Sequence, residues 1–341
     1  MTVLRAALVT PLTGPLGPYG QAGAAALRLW AAAPTLPPLW SGVELHVIDA
    51  ASDPVSAFGA AQAAAPHLLF GPYGSSAALA VAGSTRRLLW NHGGATSRLS
   101  WPQFPHIVNV LAPASSYFHG VLRLVRSLDP DVRVLRVLHG PTGFGRDVAA
   151  GAVALGRRLG FDVVAGSLSS DSVDLLPDGD VLLVAGDFEA ERAAAPRLLR
   201  RRWRAAAFVG AGVEEVLAPL GSAREGLLGP AQWVGRGESS AKFVAGYRVA
   251  TGDEPPYPAA QAYAAGAVAA SCLAAAEAAD DAALLAAARD LTCRTLLGEF
   301  RLDPSTGLQV GHRVRVVQWQ DGVRRIVWPP EEAEVRLRYP L

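Results

Sequence analysis

Short apolar runs alternate with longer, alanine-rich helical stretches along most of this 341-residue chain, and that alternation limits its fold more than any other feature. Strand patterns occupy 4–9, 45–48, 67–70, 88–90, 134–138, 163–166, 181–185, 206–209 and 227–232. Between them the spacing predicts helices over 21–30, 54–64, 77–87, 118–128, 146–159 and 188–200. Strands interleaved with helices build parallel sheets covered on both faces, so the expected class is α/β. Longer helices follow at 241–250, 259–278 and 282–291. The tail then changes character, with strands at 298–302, 314–320 and 324–328 and Asp321-Gly322 as a hairpin turn.

The chain is long for one core and suits two domains of ordinary size. Breaks fall near Leu111-Ala112-Pro113 and near Gly229-Pro230-Ala231-Gln232-Trp233. With the tail hairpin returned to the second sheet, lobe 1 comprises 1–112 and 234–311, and lobe 2 comprises 113–233 and 312–341. The chain then crosses between lobes three times. Two open α/β lobes facing each other bring the carboxyl ends of their strands, and so their ligand loops, to a shared cleft.

Composition removes several function classes. Half the residues are hydrophobic and 18% are charged, which is a globular balance. A formal net charge of +1 argues against a nucleic-acid surface or a polybasic membrane patch. Lys242 is the only lysine and has no glycine-rich context, so neither a phosphate-binding P-loop nor a Schiff-base mechanism has its residue. The histidines are scattered without a His-x-x-x-His or Cys-x-x-Cys pattern, so no metal is expected. There is no Gly-x-Ser-x-Gly elbow either, and no catalytic residue is assigned. The uncharged run from Tyr257 to Ala276 is mostly alanine and reads as a buried helix rather than a membrane span. The first residues enter a strand pattern at once, so the chain is either cytoplasmic or the remainder of an exported protein whose signal peptide was removed. Cys272 and Cys293 pair in an oxidising compartment or stay as two buried thiols; sequence leaves both open.

The turn Gly71-Pro72-Tyr73-Gly74-Ser75-Ser76 joins a strand pattern to a helical one. A helix start has N–H groups without intrahelical partners and partial positive charge, so a Gly-rich turn ending in a hydroxyl is how an α/β sheet builds an anion site. The capping-box positions hold Ala77, Ala78 and Leu79, so no nearby carboxylate occupies the site. An ordinary Ser N-cap is the plain alternative. A second set of N–H groups with a hydroxyl follows the fourth strand, in Asn91-His92-Gly93-Gly94-Ala95-Thr96-Ser97. Other strand-end turns are the Pro-rich loop from Thr10 to Tyr19-Gly20, the run His139-Gly140-Pro141-Thr142-Gly143-Phe144-Gly145, and Gly186-Asp187-Phe188-Glu189. His92 and His139 read as buried, hydrogen-bonded histidines, and Asp49 and Asp53 as caps of the following helix.

In this order the loops resemble the type I periplasmic solute-binding proteins, in particular the leucine/isoleucine/valine-binding receptors of ABC transporters. The markers are Pro11-Leu12-Thr13-Gly14-Pro15 with Tyr19-Gly20, the segment Asp49 to Pro54, the turn at Gly71, Gly94-Ala95-Thr96, Gly143-Phe144-Gly145, Glu225-Gly226 and Val317-Gln318-Trp319. Together they span nearly the whole chain. The resemblance implies two doubly wound parallel-sheet lobes joined by three crossovers and closing on one ligand like a hinge. It implies that Ser75 and Thr96, with N–H groups near Ala95, bind the ligand's carboxylate, and that Tyr19, Phe144 and Tyr257 shape the side-chain pocket. Tyr73 and Trp233 join this set from their placement, not from a family match.

Two departures stand out. The family's disulfide is absent, since the matching positions are Ser52 and Gly74. The acid that holds a ligand ammonium in the family falls at or beside Gly212, with Glu214 and Glu215 the nearest carboxylates. Asp187 either supplies the ammonium contact or merely caps the helix beginning at Phe188. The resemblance implies a receptor that delivers an amino acid or related small carboxylate to a transporter permease, outside the cytoplasmic membrane and without a cofactor. The alternative is an intracellular sensor of the same fold acting on a regulator.

Overall fold

A computed structural model describes residues 2–50, 52–169, 179–276 and 278–341, with Glu214 and Glu215 described by their backbone alone. The chain divides into two compact units, Met1–Pro113 with Trp233–His312 and Ala114–Gln232 with Arg313–Leu341, and passes between them three times.

Unit 1 is built on five parallel strands: β1 (Thr2–Thr10), β2 (Trp40–Asp49), β3 (Leu68–Phe70), β4 (Leu89–Asn91) and β5 (Ile107–Asn109), in the order β2-β1-β3-β4-β5. The inner strands are buried on both faces and so carry unbroken apolar runs; Leu68, Leu69 and Phe70 are at most 1% exposed. Helices α1 (Gly17–Ala32), α2 (Pro54–Ala63) and α3 (Ser75–Ser84) connect the strands, and α8 (Glu238–Thr251), α9 (Tyr257–Ala275) and α10 (Asp281–Asp290) complete the unit. One face of the sheet covers a core of Val9, Phe58, Leu69, Val81, Leu89, Leu99 and Ile107. Each such side chain contributes roughly 1.5–3 kcal/mol by leaving water.

The alanine-rich α9 is buried along most of its length, as its composition predicts, and packs on α1. The fit is close: a Cβ on Gly266 would lie 2.6 Å from the Trp30 ring. Among the described residues no helix is long and apolar enough to cross a membrane. A small antiparallel pair, β11 (Cys293–Thr295) with β12 (Gly298–Phe300), closes the unit. Cys272 and Cys293 are free thiols, and burial pushes Cys272 up to about 12.

Unit 2 carries seven strands in the order β14-β13-β10-β9-β8-β6-β7. Those from β6 (Val134–His139), β7 (Asp162–Ser167), β8 (Val181–Ala185), β9 (Ala205–Phe208) and β10 (Leu228–Ala231) run parallel. The tail strands β13 (Arg315–Gln320) and β14 (Val323–Trp328) add to them antiparallel. Helices α4 (His119–Leu128), α5 (Gly143–Arg158), α6 (Phe188–Leu198) and the short α7 (Glu214–Leu217) link them. Asp321 and Gly322 both have positive φ, 56° and 75°, as a two-residue hairpin matched to strand twist requires. Glu225 fixes that turn by accepting from the N–H groups of Asp321 and Gly322, both at 2.8 Å. Trp319 is 1% exposed and donates from Nε1 to the Ala211 carbonyl at 3.0 Å. The markers Glu225-Gly226 and Val317-Gln318-Trp319 therefore hold up the sheet.

Three local expectations are corrected. Asp53 caps α2 through the N–H groups of Val55 and Ser56, but Asp49 does not cap it. Asp49 instead accepts from Leu12 N and Thr13 Oγ1, both at 2.8 Å, and so holds the loop after β1. The N-cap of α3 is Gly74, at φ 102°, and Ser75 is the first helical residue with no capping bond from its hydroxyl. His92 is buried but not hydrogen-bonded: among the described residues neither ring nitrogen has a partner, and burial lowers its pKa to about 4.

Candidate functional site

In unit 1 the turns after β3 and β4 touch through their backbones. Gly74 N donates to the Gly93 carbonyl at 3.0 Å. A Cβ built on Gly93 would lie 2.4 Å from Tyr73 Cα, and one on Gly94 would lie 2.5 Å from the Ala78 methyl. Only glycine at both positions lets the Asn91–Thr96 stretch lie against the first turn of α3. Asn91 braces it, donating from Nδ2 to the Gly94 carbonyl at 2.7 Å and accepting from Gly94 N at 2.9 Å. Asn91 Nδ2 also donates to Asn109 Oδ1 at 2.9 Å, which ties the brace to β5.

This contact sets two groups of donors side by side. The N–H groups of Ser75, Ser76 and Ala77 open α3 and have no intrahelical acceptor. Those of Ala95 and Thr96 have no acceptor among the described residues. The Ser75 hydroxyl is half-buried and makes no hydrogen bond among the described residues; Thr96 is 2% exposed and its Oγ1 accepts from Arg98 N at 3.3 Å. Hydroxyls, unpaired N–H groups and the α3 dipole together favour negative charge, and no acidic residue stands in the first turn of α3.

Three half-buried tyrosines cluster in the same unit. Tyr19, in the first turn of α1, stacks on Tyr73 with ring centroids 5.2 Å apart and planes 18° apart. Tyr257, the first residue of α9, tilts against Tyr19 at 6.2 Å, and the Tyr73 and Tyr257 hydroxyls share a short hydrogen bond. Tyr73 directly precedes Gly74-Ser75, so the aromatic cluster adjoins the donor turns. Trp233 is placed differently. It is 7% exposed, donates from Nε1 to Ser240 Oγ at 2.9 Å and meets Phe243 edge-on. Its hydrogen bond and its ring contact are both with α8, and neither is with the tyrosines.

In unit 2, Phe144 stands in the first turn of α5, which Thr142 caps through Gly145 N at 3.0 Å. Its ring meets Tyr117 edge-on at 5.4 Å. Tyr117 is buried, accepts from Gln232 Nε2 at 3.0 Å, and is pushed by burial up to about 12. Asp187 is the N-cap of α6: its Oδ1 accepts from Ala190 N at 2.8 Å, and the residue is exposed. Gly212 has no room for a side chain, since a Cβ there would lie 1.9 Å from the Pro230 carbonyl oxygen. The side chains of Glu214 and Glu215 lie outside the described residues.

Sequence reading missed Glu191. Its carboxyl is fully buried, accepts from Gly186 N at 2.8 Å and from Gly210 N at 2.6 Å, and is pushed up to about 8, chiefly by desolvation. In sequence it is one charged residue among Glu189, Glu191 and Arg192 on a polar helix. The one available signal was its spacing, a helical turn after Asp187 and so on a common face.

A periplasmic binding protein family model matches residues 201–323. Among solved structures, the leucine-binding protein of Thermotoga maritima superposes with a TM-score of 0.78 at 18% identity, covering 96% of this chain and 99% of that one. An ABC-transporter solute-binding protein of R. palustris in complex with benzoate gives 0.77 at 16% identity, covering 98% and 100%. One from Rhodopseudomonas palustris HaA2 in complex with p-hydroxybenzoic acid gives 0.81 at 17% identity, covering 99% and 97%. The resemblance read from the sequence is borne out in the fold: this chain has the α/β architecture of the type I periplasmic binding proteins.

Proposed function

We propose that this protein is the solute-binding receptor of an ABC transporter and that it captures a small carboxylate, either an amino acid or a related organic acid, by hinge closure. The observation that carries the reading is the pair of adjoining turns in unit 1. There the N–H groups of Ser75, Ser76, Ala77, Ala95 and Thr96 stand with two hydroxyls and no acidic residue in the first turn of α3. The tyrosines beside those turns offer ring faces to an apolar or aromatic portion of the solute. Both ligand kinds have precedent in the fold, as the leucine-binding and benzoate-bound proteins illustrate. For an amino acid we assign the ammonium to Asp187, whose Oδ2 remains after Oδ1 caps α6. The receptor works outside the cytoplasmic membrane, passes its solute to a permease, and performs no chemistry on it.

A thermal-shift screen over amino acids and small aliphatic and aromatic carboxylates tests this. A solute at about 100 times its Kd adds about 2.7 kcal/mol of stability, a plain shift in melting temperature. A flat screen, or turnover of a solute that binds, sinks the reading.

A further inference from the structure

We propose that Glu191 is a positioning residue for the strand-end turns of unit 2, its carboxyl group joining the turn after β8 to the turn after β9. The inference rests on the functional reading above, which makes those turns solute-facing. Both lie at carboxyl ends of parallel strands, where open α/β sheets take their ligands. The turn after β8 runs Gly186-Asp187, and the turn after β9 runs from Val209 to Gly212, so one side chain connects the turn that carries Asp187 to the turn that ends at Gly212.

The geometry leaves little slack. Glu191 is 0% exposed, and each oxygen takes one turn: Oε1 accepts from Gly186 N at 2.8 Å and Oε2 from Gly210 N at 2.6 Å. A Cβ on Gly210 would lie 2.8 Å from Oε2 and 2.5 Å from Val216 Cγ1. A Cβ on Gly186 would lie 3.2 Å from Glu191 Cγ and 2.8 Å from Leu168 Cδ2. Both donors are glycines because the Glu191 side chain, with Val216 beside Gly210 and Leu168 beside Gly186, fills the space a side chain there would need. Removing it would leave the N–H groups of Gly186 on one turn and of Val209 and Gly210 on the other without their shared acceptor.

Of the charged and titratable groups on the neighbouring elements, Asp187 is the one whose charge acts on it. Asp187 heads its own helix, His139 ends β6 in register with Ala185, and Arg324 of β14 donates to the Gly212 carbonyl. Glu214 and Glu215 open α7 in sequence. Burial, more than these neighbours, keeps the carboxyl protonated to about pH 8, with the Asp187 charge adding to the effect. A neutral carboxyl accepts well at its carbonyl oxygen only, whereas the ionised form accepts at both oxygens. The link between the turns therefore tightens as the group ionises.

In [15N]glycine-labelled protein, the Gly186 and Gly210 amide signals are expected to titrate together, with one midpoint near 8, and to lose that titration in Glu191→Gln. Separate midpoints, or no movement above the ordinary carboxylate range, would overturn the proposal; the wild-type titration decides it even where the variant fails to fold. Calorimetry with benzoate and with L-leucine as probes, between about pH 6 and 9.5, supplies the functional readout. For whichever probe binds, wild-type affinity should change several-fold in step with the amides, and Glu191→Gln should bind about tenfold more weakly with a flat profile. An unchanged profile in Glu191→Gln overturns the positioning role. If neither probe binds, these two solutes are excluded and the functional reading is weakened, while the amide titration still judges Glu191.

Discussion

Gly93→Ala puts the joint between the two donor turns under direct load. Gly93 has an ordinary φ, so alanine brings no backbone strain and acts only through its methyl group. That methyl would lie 2.4 Å from Tyr73 Cα and 2.9 Å from the Pro72 carbonyl oxygen. Carbon contacts settle near 3.5–4.0 Å, so the turns must part by about 1 Å or more, and both obstructing atoms are backbone. Overpacking of this kind costs about 1–3 kcal/mol. At roughly 2–4 °C per kcal/mol for a unit of this size, the melting temperature should fall by a few degrees to about 10 °C. Binding should suffer more than stability, because a 1 Å displacement separates the N–H groups of Ala95 and Thr96 from those opening α3. A carboxylate held by both loses at least one charge-assisted bond, about 1.5–3 kcal/mol or roughly 10- to 100-fold in Kd. Gly83→Ala, on the exposed side of the same helix with nothing within 4 Å of its Cβ, is the control; it should gain about 0.5–1 kcal/mol and bind normally. The assay is calorimetric titration of each variant with the solute found by thermal shift. A Gly93→Ala protein that binds like wild type would refute the idea that the two turns form one anion site.

Tyr73→Phe removes the hydroxyl bonded to Tyr257 while keeping the stack on Tyr19, and should cost about 1 kcal/mol in thermal unfolding. Asp187→Asn separates the ligand kinds: an amino acid should lose about 10- to 100-fold in affinity, while a plain carboxylate should be held unchanged, as titration of both would show. An amino acid held equally well by the variant removes Asp187 from the ammonium role. Glu191 also sets a pH dependence of stability. Its folded pKa, raised to about 8, exceeds the ordinary value of 4.5 because desolvation of the ionised carboxyl outweighs its stronger hydrogen bonds, so the contribution of the protonated form is fully present below about pH 4.5 and is lost as pH rises through 8. The span corresponds to several kcal/mol, and denaturant titrations of wild type against Glu191→Gln should show the difference shrink across that window.

The alternation of strands and helices was legible because a buried parallel sheet demands unbroken apolar strands, and β8, with Val181, Leu182, Leu183, Val184 and Ala185 all buried, is the clearest case. Edge strands hid their ends. β2 runs from Trp40 through Ser41, Glu44 and His46, residues that a strand exposed on one side accepts but that do not read as apolar, so only 45–48 was visible. α1 begins at Gly17 rather than Gln21, because Pro18 fits the first turn of a helix as well as it fits a loop. At the candidate site, the sequence showed which turns carry donors but not how closely they approach. That depends on what a Cβ at Gly93 or Gly94 would strike, which is a property of the packed backbone. The same blindness covers Glu191 and Gly212. A glutamate that must accept from two buried glycines, and a glycine pressed against a carbonyl, look in sequence like a surface acid and a loose turn. What distinguishes them is the company each keeps after folding, which local sequence does not carry.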